Sequence, residues 1–443
     1  MPKPYQPPTG GRDLLPLDVV QKRWIEDRLE QVFQRWGYHR IITSTVETMD
    51  TLMAGGAIER LEVIELQLGQ AGQQRLGLRP ELTASIARAA VTRLASVTYP
   101  QRLYYNANVF RRLAQGSQGN QQEYHQAGIE LLGASGLMAD AETILLAADC
   151  LSALSITDTS LVIGEAALTY SLLSPFPEEI RETVRHHVAA LDLVALDEMA
   201  QSGELSDELR DRVSTLTSLR GEPTAVLAQL SSLDLTTEQQ EIVNRLKALI
   251  ELLTLEKSQG TAIPPIVMDL SLIRPFDYYT GIVFEIASGA SKQRLGQGGR
   301  YDELLAVYDT RKRSEPGQNE SGQNEPGQNE SKGFPGIGFV LNIDQLQQEL
   351  LPSAQLPRET PPSDWLIVPE DDAAAAAALA YAQKARQSGE VPQNGLPQNL
   401  VRVEMCLDLT QSKDEVRAIA RKRNISRIAW ISQKGLPDIE VVN

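Results

Sequence analysis

The chain has 443 residues, with 42 Lys plus Arg against 58 Asp plus Glu and a formal charge of −16. That length corresponds to about three ~150-residue domains, which excludes a lone small binding module, and the acidity sets long-range repulsion against a polyanionic partner. Two cysteines and four histidines give no disulfide framework and little material for a metal site. There is neither a signal-peptide core nor an apolar run of ~18 residues, so a cytoplasmic protein without membrane contact, metal or cofactor is expected.

The first strong pattern is helical: Val20, Trp24, Ile25, Leu29, Val32, Phe33 and Trp36 recur three and four apart, Gly37 follows as a stop, and Asp18 is the expected N-cap. Strand-like runs come next at Ile41 to Val46, Val63 to Leu68 and Leu76 to Leu78, then a helix from Thr83 to Leu94. Arg102 to Arg112 alternates, with Leu103, Tyr105, Ala107 and Val109 on one side, and Glu123 to Leu132 alternates too. Between them the Gly/Gln/Asn-rich Gln115 to Gln121 reads as a hairpin loop. Strands joined by loops predict a largely antiparallel sheet with helices on one face.

From Glu165 to Lys257 leucine-rich amphipathic segments replace strand signals, and 17 acidic against 8 basic residues give this stretch a net of −9. Strands resume at Pro265 to Ile273 and Gly281 to Ala287. Ser314 to Lys332 holds the tetrad Gly-Gln-Asn-Glu three times, a composition that cannot bury a core and predicts a disordered loop. Behind a Pro-rich linker, Leu351 to Pro362, come a strand (Trp365 to Val368), an Ala-rich helix, a strand (Leu400 to Cys406), a helix (Ser412 to Arg423) and a strand (Arg427 to Ile431). The expected class is α+β: a discontinuous core over 1–164 and 265–350, a helical insertion at 165–264, the loop at 314–332 and a small α/β domain at 363–443.

Several segments carry more chemistry than packing requires. Leu78-Arg79-Pro80-Glu81-Leu82-Thr83 sets an arginine, a carboxylate and a hydroxyl where a strand meets a helix; taken alone, Glu81 or Thr83 serves equally well as a helix cap. Gln126 and Glu130 share a strand face with Tyr124 and Gly128, opposite His125, Ala127, Ile129 and Leu131. That face suits a small cationic or amide-bearing ligand, although a solvated sheet face has the same pattern. Arg274-Pro275-Phe276-Asp277-Tyr278-Tyr279-Thr280-Gly281 offers planar walls and hydroxyls beside a charge, as a heterocyclic ligand needs, or else core tyrosines. Gly296 to Asp302 reads as a flexible turn opening a helix and is a weak phosphate-loop candidate.

In this order, and with Gly11 to Pro16, Phe110-Arg111-Arg112 and Gly298-Gly299-Arg300-Tyr301-Asp302, these segments resemble the histidyl-tRNA synthetase family over nearly the whole chain. The resemblance implies a class II synthetase-like antiparallel sheet, a helical insertion, an anticodon-binding-like last domain and a homodimer. It also implies a histidine pocket: Glu81 and Thr83 for the α-amino group, Arg111 for the carboxylate, Glu130 and Tyr279 for the imidazole, Gln126 and Tyr278 as lining. Arg274 matches an arginine that contacts the carboxylate during activation.

The departures from that family concern phosphate chemistry, which needs cations around the transferred charge. Gln345 stands where synthetases place a late arginine, Gly119-Asn120-Gln121-Gln122 replaces a Gly-Arg-Tyr-Arg segment, and Ser44 replaces the proline of the dimer motif. The pattern therefore resembles the regulatory-subunit family of ATP phosphoribosyltransferases, which are synthetase paralogues. It implies a non-catalytic partner of the short catalytic subunit with histidine as feedback effector and no tRNA. Over 361–443 the 10 basic and 11 acidic residues agree with the last point. An active synthetase, or a synthetase-like enzyme using another acceptor, stays open at this stage.

Overall fold

A computed structural model describes residues 6–56, 58–67, 74–112, 121–273, 278–308, 334–388 and 400–442. The loop expected at 314–332 and the candidate Arg274 lie outside the described residues, as does all but Gln121 of the hairpin loop. The chain divides into two compact units, Met1–Pro357 and Arg358–Asn443.

The first unit begins with α1 (Pro16–Arg35), which buries Ile25, Leu29, Val32 and Phe33, each contributing about 1.5–3 kcal/mol. Its N-cap is Leu15, not Asp18. Pro16 fits the first helical position, where no N–H is needed, and Asp18 from the third position accepts the Leu15 N–H at 2.9 Å. Gly37, with φ +79°, turns the chain out of the helix.

The run expected over Ile41 to Val46 resolves into β1 (His39–Arg40) and β2 (Val46–Thr48) with an irregular stretch between. The reason is Arg79, whose guanidinium takes the carbonyls of Thr43 (2.9 Å), Ser44 (3.2 Å) and Asn108 (3.0 Å). Those backbone groups are satisfied without a strand ladder. After α2 (Met49–Met53), β3 (Ile64–Leu66) and β4 (Leu76–Leu78) join β2 in a small sheet ordered β2-β4-β3, and α3 (Thr83–Thr92) follows.

Strands β5 (Gln101–Phe110) and β6 (Glu123–Leu132) pair antiparallel from Gln101 opposite Leu132 to Phe110 opposite Glu123. Next come α4 (Leu137–Ala153) and β7 (Thr159–Glu165), a strand that sequence patterning did not isolate. The leucine-rich stretch forms α5 (Ala166–Leu173), α6 (Glu178–Ala190), α7 (Leu193–Gln201), α8 (Asp207–Ser218), α9 (Pro223–Ser231) and α10 (Thr237–Ser258). It is not strand-free, because β8 (Arg220–Gly221) pairs with β9 (Ile266–Asp269).

The unit closes with β10 (Ile282–Ser288), β11 (Arg294–Arg300), α11 (Leu304–Tyr308), β12 (Gly336–Asn342) and α12 (Ile343–Leu350). The nine-stranded sheet runs β1-β5-β6-β12-β11-β10-β7-β9-β8 and is antiparallel except at β1–β5 and β7–β9. Gly296 to Arg300 is thus strand, not turn, and the phosphate-loop reading falls with it. Its glycines serve close packing: a Cβ at Gly298 would lie 2.6 Å from the Phe284 ring and from Phe339 Cβ. Helices cover both faces rather than one. Helices α1, α4, α10 and α12 pack on the face of Ala127, Ile129 and Leu131, while α3 and α11 pack on the face of Tyr105 and Leu132.

In the second unit β13 (Trp365–Pro369), α13 (Ala375–Gln387), β14 (Val403–Met405), α14 (Lys413–Lys422), β15 (Arg427–Ile431) and β16 (Pro437–Val441) build a sheet ordered β14-β13-β15-β16. Helix α13 lies on one face against Ile367, Ala429 and Ile431, and α14 on the other against Leu366, Ile428 and Trp430. Ser412 caps α14 with a capping box to Glu415. The strand expected over Leu400 to Cys406 shortens to three residues, and β16 was not anticipated. Among the described residues no helix is long and apolar enough to cross a membrane, and no group of three or more His, Cys, Asp or Glu is arranged to hold a metal.

Candidate functional site

On the α3 side of the large sheet, Glu81, Thr83, Arg111, Gln126, Glu130, Tyr278 and Tyr279 line one pocket with Tyr105, Gln297, Tyr301 and Gly338. The free space inside it is about 40 Å³, well short of the ~300–1,000 Å³ typical of small-molecule sites, so lining side chains must shift to admit an amino acid. The structure thus brings together seven of the eight residues singled out from sequence.

The floor is made by strands with little side chain. A Cβ on Gly128 would lie 2.2 Å from the Phe339 carbonyl, one on Gly338 2.0 Å from Glu130 Oε2, and one on Gly299 2.7 Å from the Tyr279 ring. Only glycine lets these neighbours approach so closely.

Glu130, 2% exposed, stands at the inner end. Thr83 donates its hydroxyl to Glu130 Oε1 at 2.7 Å, and Tyr301 donates its phenol to Oε2. Burial nevertheless pushes this carboxyl up to about 8, with the nearby Glu81 charge adding to the shift and the two hydroxyls opposing it. Burial also holds the phenols of Tyr105, Tyr278 and Tyr301 well above their ordinary range, so all three remain hydrogen-bond donors. Tyr278 meets Tyr279 at 4.7 Å between ring centroids and Tyr301 edge-on at 5.8 Å, which forms an aromatic wall.

Glu81 does what its alternative reading foresaw and caps α3: its oxygens accept the N–H groups of Thr83 (2.5 Å) and Ala84 (2.8 Å). Enclosure by protein raises its pKa while these bonds and Arg111 pull it down. Each carboxylate oxygen keeps a second lone pair for a ligand. Arg79, its neighbour in sequence, is buried and committed to the three carbonyls named above, so it is structural.

Arg111 occupies the outer end. Its backbone N–H donates to the Gln122 carbonyl at 2.8 Å and its Nε to the Pro80 carbonyl at 3.2 Å, and the residue lines the pocket. Beside it lies a second cavity of about 160 Å³, lined among others by Arg111, Tyr124, Arg294, Asn342 and Gln345. Gln345 is in the first turn of α12, and Arg294 pairs with Glu285 at 2.9 Å. Arg300 points the other way, bonded to Asp140 at 2.5 Å and Asp302 at 2.9 Å.

Sequence reasoning missed Tyr105, Gln297 and Tyr301 as lining. The register offers one signal: Tyr105 sits opposite Gly128, and a large residue facing a glycine on the Glu130 face marks an opening.

The fold and this pocket define a histidyl-tRNA synthetase-like chain, and a family model described as histidyl-tRNA synthetase matches residues 10–318. A crystal structure titled an ATP phosphoribosyltransferase regulatory subunit/histidyl-tRNA synthetase, from Bacillus halodurans C, aligns with TM-score 0.74 and 26% identity, covering 98% of this chain and 99% of that one. Histidyl-tRNA synthetase from Nostoc sp. PCC 7120 shares the fold, with TM-score 0.71 at 18% identity, over 99% of this chain and 97% of that one.

Curated relatives narrow the assignment. The ATP phosphoribosyltransferase regulatory subunit of Nostoc sp. (strain PCC 7120) is 53% identical over 441 residues, 99% of each chain. That of Synechococcus elongatus is 48% identical over 99% of this chain and 97% of its own. The chain belongs to this family of ATP phosphoribosyltransferase regulatory subunits.

Proposed function

We propose that the chain binds free histidine in the pocket of Glu130 and Arg111 and passes that occupancy to a short catalytic ATP phosphoribosyltransferase subunit, as feedback on the first step of histidine biosynthesis. The observation that carries this reading is the opposition of Glu130 at the inner end to Arg111 at the outer one. An imidazole N–H meets Glu130 and its ring the Tyr278–Tyr279 wall, the ammonium meets Glu81, and the carboxylate meets Arg111. Arg274 enters only as an expectation from resemblance.

Beyond the pocket, Gln345 in place of a cation and the pairing of Arg294 with Glu285 support the absence of ATP activation, which needs unpaired positive charge at the phosphates. In the second unit Arg423 pairs with Glu404 at 2.7 Å and Arg417 with Glu440 at 2.6 Å, which supports a chain without tRNA. Ile42, 82% exposed beside β1, supports the homodimer through the core.

The test mixes the purified chain with the short catalytic subunit. Phosphoribosyl transfer should depend on the chain and fall with added histidine, and the chain alone should give no histidine-dependent ATP–pyrophosphate exchange. Robust exchange would overturn the reading in favour of an active synthetase.

A further inference from the structure

The segment Gly296-Gln297-Gly298-Gly299 carries a single side chain, and β11 leaves no space for others: a Cβ on Gly296 would lie 2.6 Å from Leu341 Cδ2 and 2.8 Å from the Val340 carbonyl. Strand alternation sends positions 296 and 298 towards the core around Phe284 and Leu341, and positions 297 and 299 towards Tyr279 and the pocket. Gln297 is thus a long polar side chain in a run otherwise stripped to backbone, on the face that carries the pocket.

Its placement is shared with one other residue. The pocket shares lining residues with two adjoining spaces, of about 160 Å³ and about 30 Å³. Arg111 and Gln297 are the two residues that line all three spaces. They stand side by side where the three spaces meet. Among the described residues no hydrogen bond occupies the Gln297 amide, and none occupies the terminal nitrogens of Arg111.

We propose that Gln297 determines specificity at the outer end of the pocket: its amide N–H joins the Arg111 guanidinium on the α-carboxylate of the bound amino acid. This rests on the histidine reading above. A guanidinium alone attracts any anion, whereas a guanidinium plus an adjacent amide donor fixes a planar carboxylate in place and leaves an alcohol, ester or amide poorly matched. The site then reports free histidine and ignores compounds that carry the same ring and amine without the acid.

The test is calorimetric titration of the full chain with L-histidine and with L-histidinol, which keeps the imidazole and amine and replaces the carboxylate by an alcohol. Gln297→Ala should weaken histidine binding about tenfold and leave histidinol binding nearly unchanged. Gln297→Glu should weaken histidine further, by charge repulsion, and favour histidinol. If the alanine variant does not fold, Gln297→Met keeps the bulk of the side chain and supports the same comparison. Equal losses for both ligands, or a variant that binds histidine like the parent, would overturn the role of Gln297 alone. A parent chain that binds no histidine would overturn this role together with the pocket assignment.

Discussion

Thr83, at the start of α3, donates a hydrogen bond from its hydroxyl to Glu130 near the end of β6 over 2.7 Å, across 47 positions of sequence. With Tyr301 on the other oxygen, this carboxyl ties a helix start, a central strand and the end of β11 together. An incoming imidazole joins that arrangement by accepting the carboxylate as partner. Glu130→Gln should therefore weaken histidine binding by roughly 1–3 kcal/mol, the value of a hydrogen bond to a charged group. Calorimetry giving the parent's affinity would show that the ligand does not use this end.

Histidine binding should also be linked to a proton. Burial holds Glu130 at about 8 in the empty pocket, so at neutral pH it is mainly protonated, and accepting an imidazole N–H favours its ionised form. Binding then releases up to about one proton, and affinity climbs between pH 7 and 8 by at most about tenfold per unit. Titrations in buffers of different ionisation enthalpy measure the release, which Glu130→Gln should abolish. Proton uptake in the parent would contradict the scheme.

A second buried carboxyl bears on stability alone. Glu165 is 6% exposed, and burial, reinforced by the charge of Asp140, pushes it up to about 8 from an ordinary 4.5. Between those values the folded chain holds a proton that the unfolded chain has lost, so stability declines as pH rises through the window. Glu165→Gln should flatten the fall in melting temperature between pH 5 and 8, leaving the part due to Glu130. Parallel curves for parent and variant would refute the assignment.

Gly338→Ala tests the floor. The added methyl would sit 2.0 Å from Glu130 Oε2 and 2.4 Å from the Ile129 carbonyl, and the second of these is backbone that cannot rotate away. We expect a stability loss of about 1–3 kcal/mol and no measurable histidine binding, read by thermal melts and calorimetry.

Arg79→Met should separate structure from ligand binding. It strands three carbonyls that now share one guanidinium, each costing about 1–3 kcal/mol if buried without a partner. The melting temperature should drop sharply, while the fraction that folds binds histidine as the parent does. Loss of affinity in a well-folded variant would return Arg79 to the site.

How much of this was legible beforehand depended on whether a pattern encodes direction. The β5–β6 hairpin was, because period-two alternation states which side chains share a face, and Gln126 and Glu130 came out on the pocket side. Arginines were harder: Arg79 and Arg300 lie inside ligand-like motifs, yet both turn away to carbonyls or carboxylates, since a guanidinium's chemistry does not say where it points. Glycine misled in another way. In Gly296 to Gly299 it marks crowding between paired strands, not a turn, and only the register with β10 and β12 distinguishes the two. Tyr105 reads only as one side of an alternating strand, and Tyr301 is hidden inside the segment read as a turn, because a phenol carries the same pattern whether its hydroxyl meets protein or ligand.

The glycine floor has a consequence for how this pocket can diverge. Gly128, Gly299 and Gly338 press against backbone, ring or carboxylate atoms at 2.0 to 2.8 Å from any added Cβ, so nearly every replacement there is lethal to the cavity itself. Gln126 and Gln297 line both the pocket and the adjoining cavity, and Gln345 lines that cavity alone. Descendants of this sequence can rewrite what these glutamines accept, one side chain at a time, while the glycine floor stays frozen.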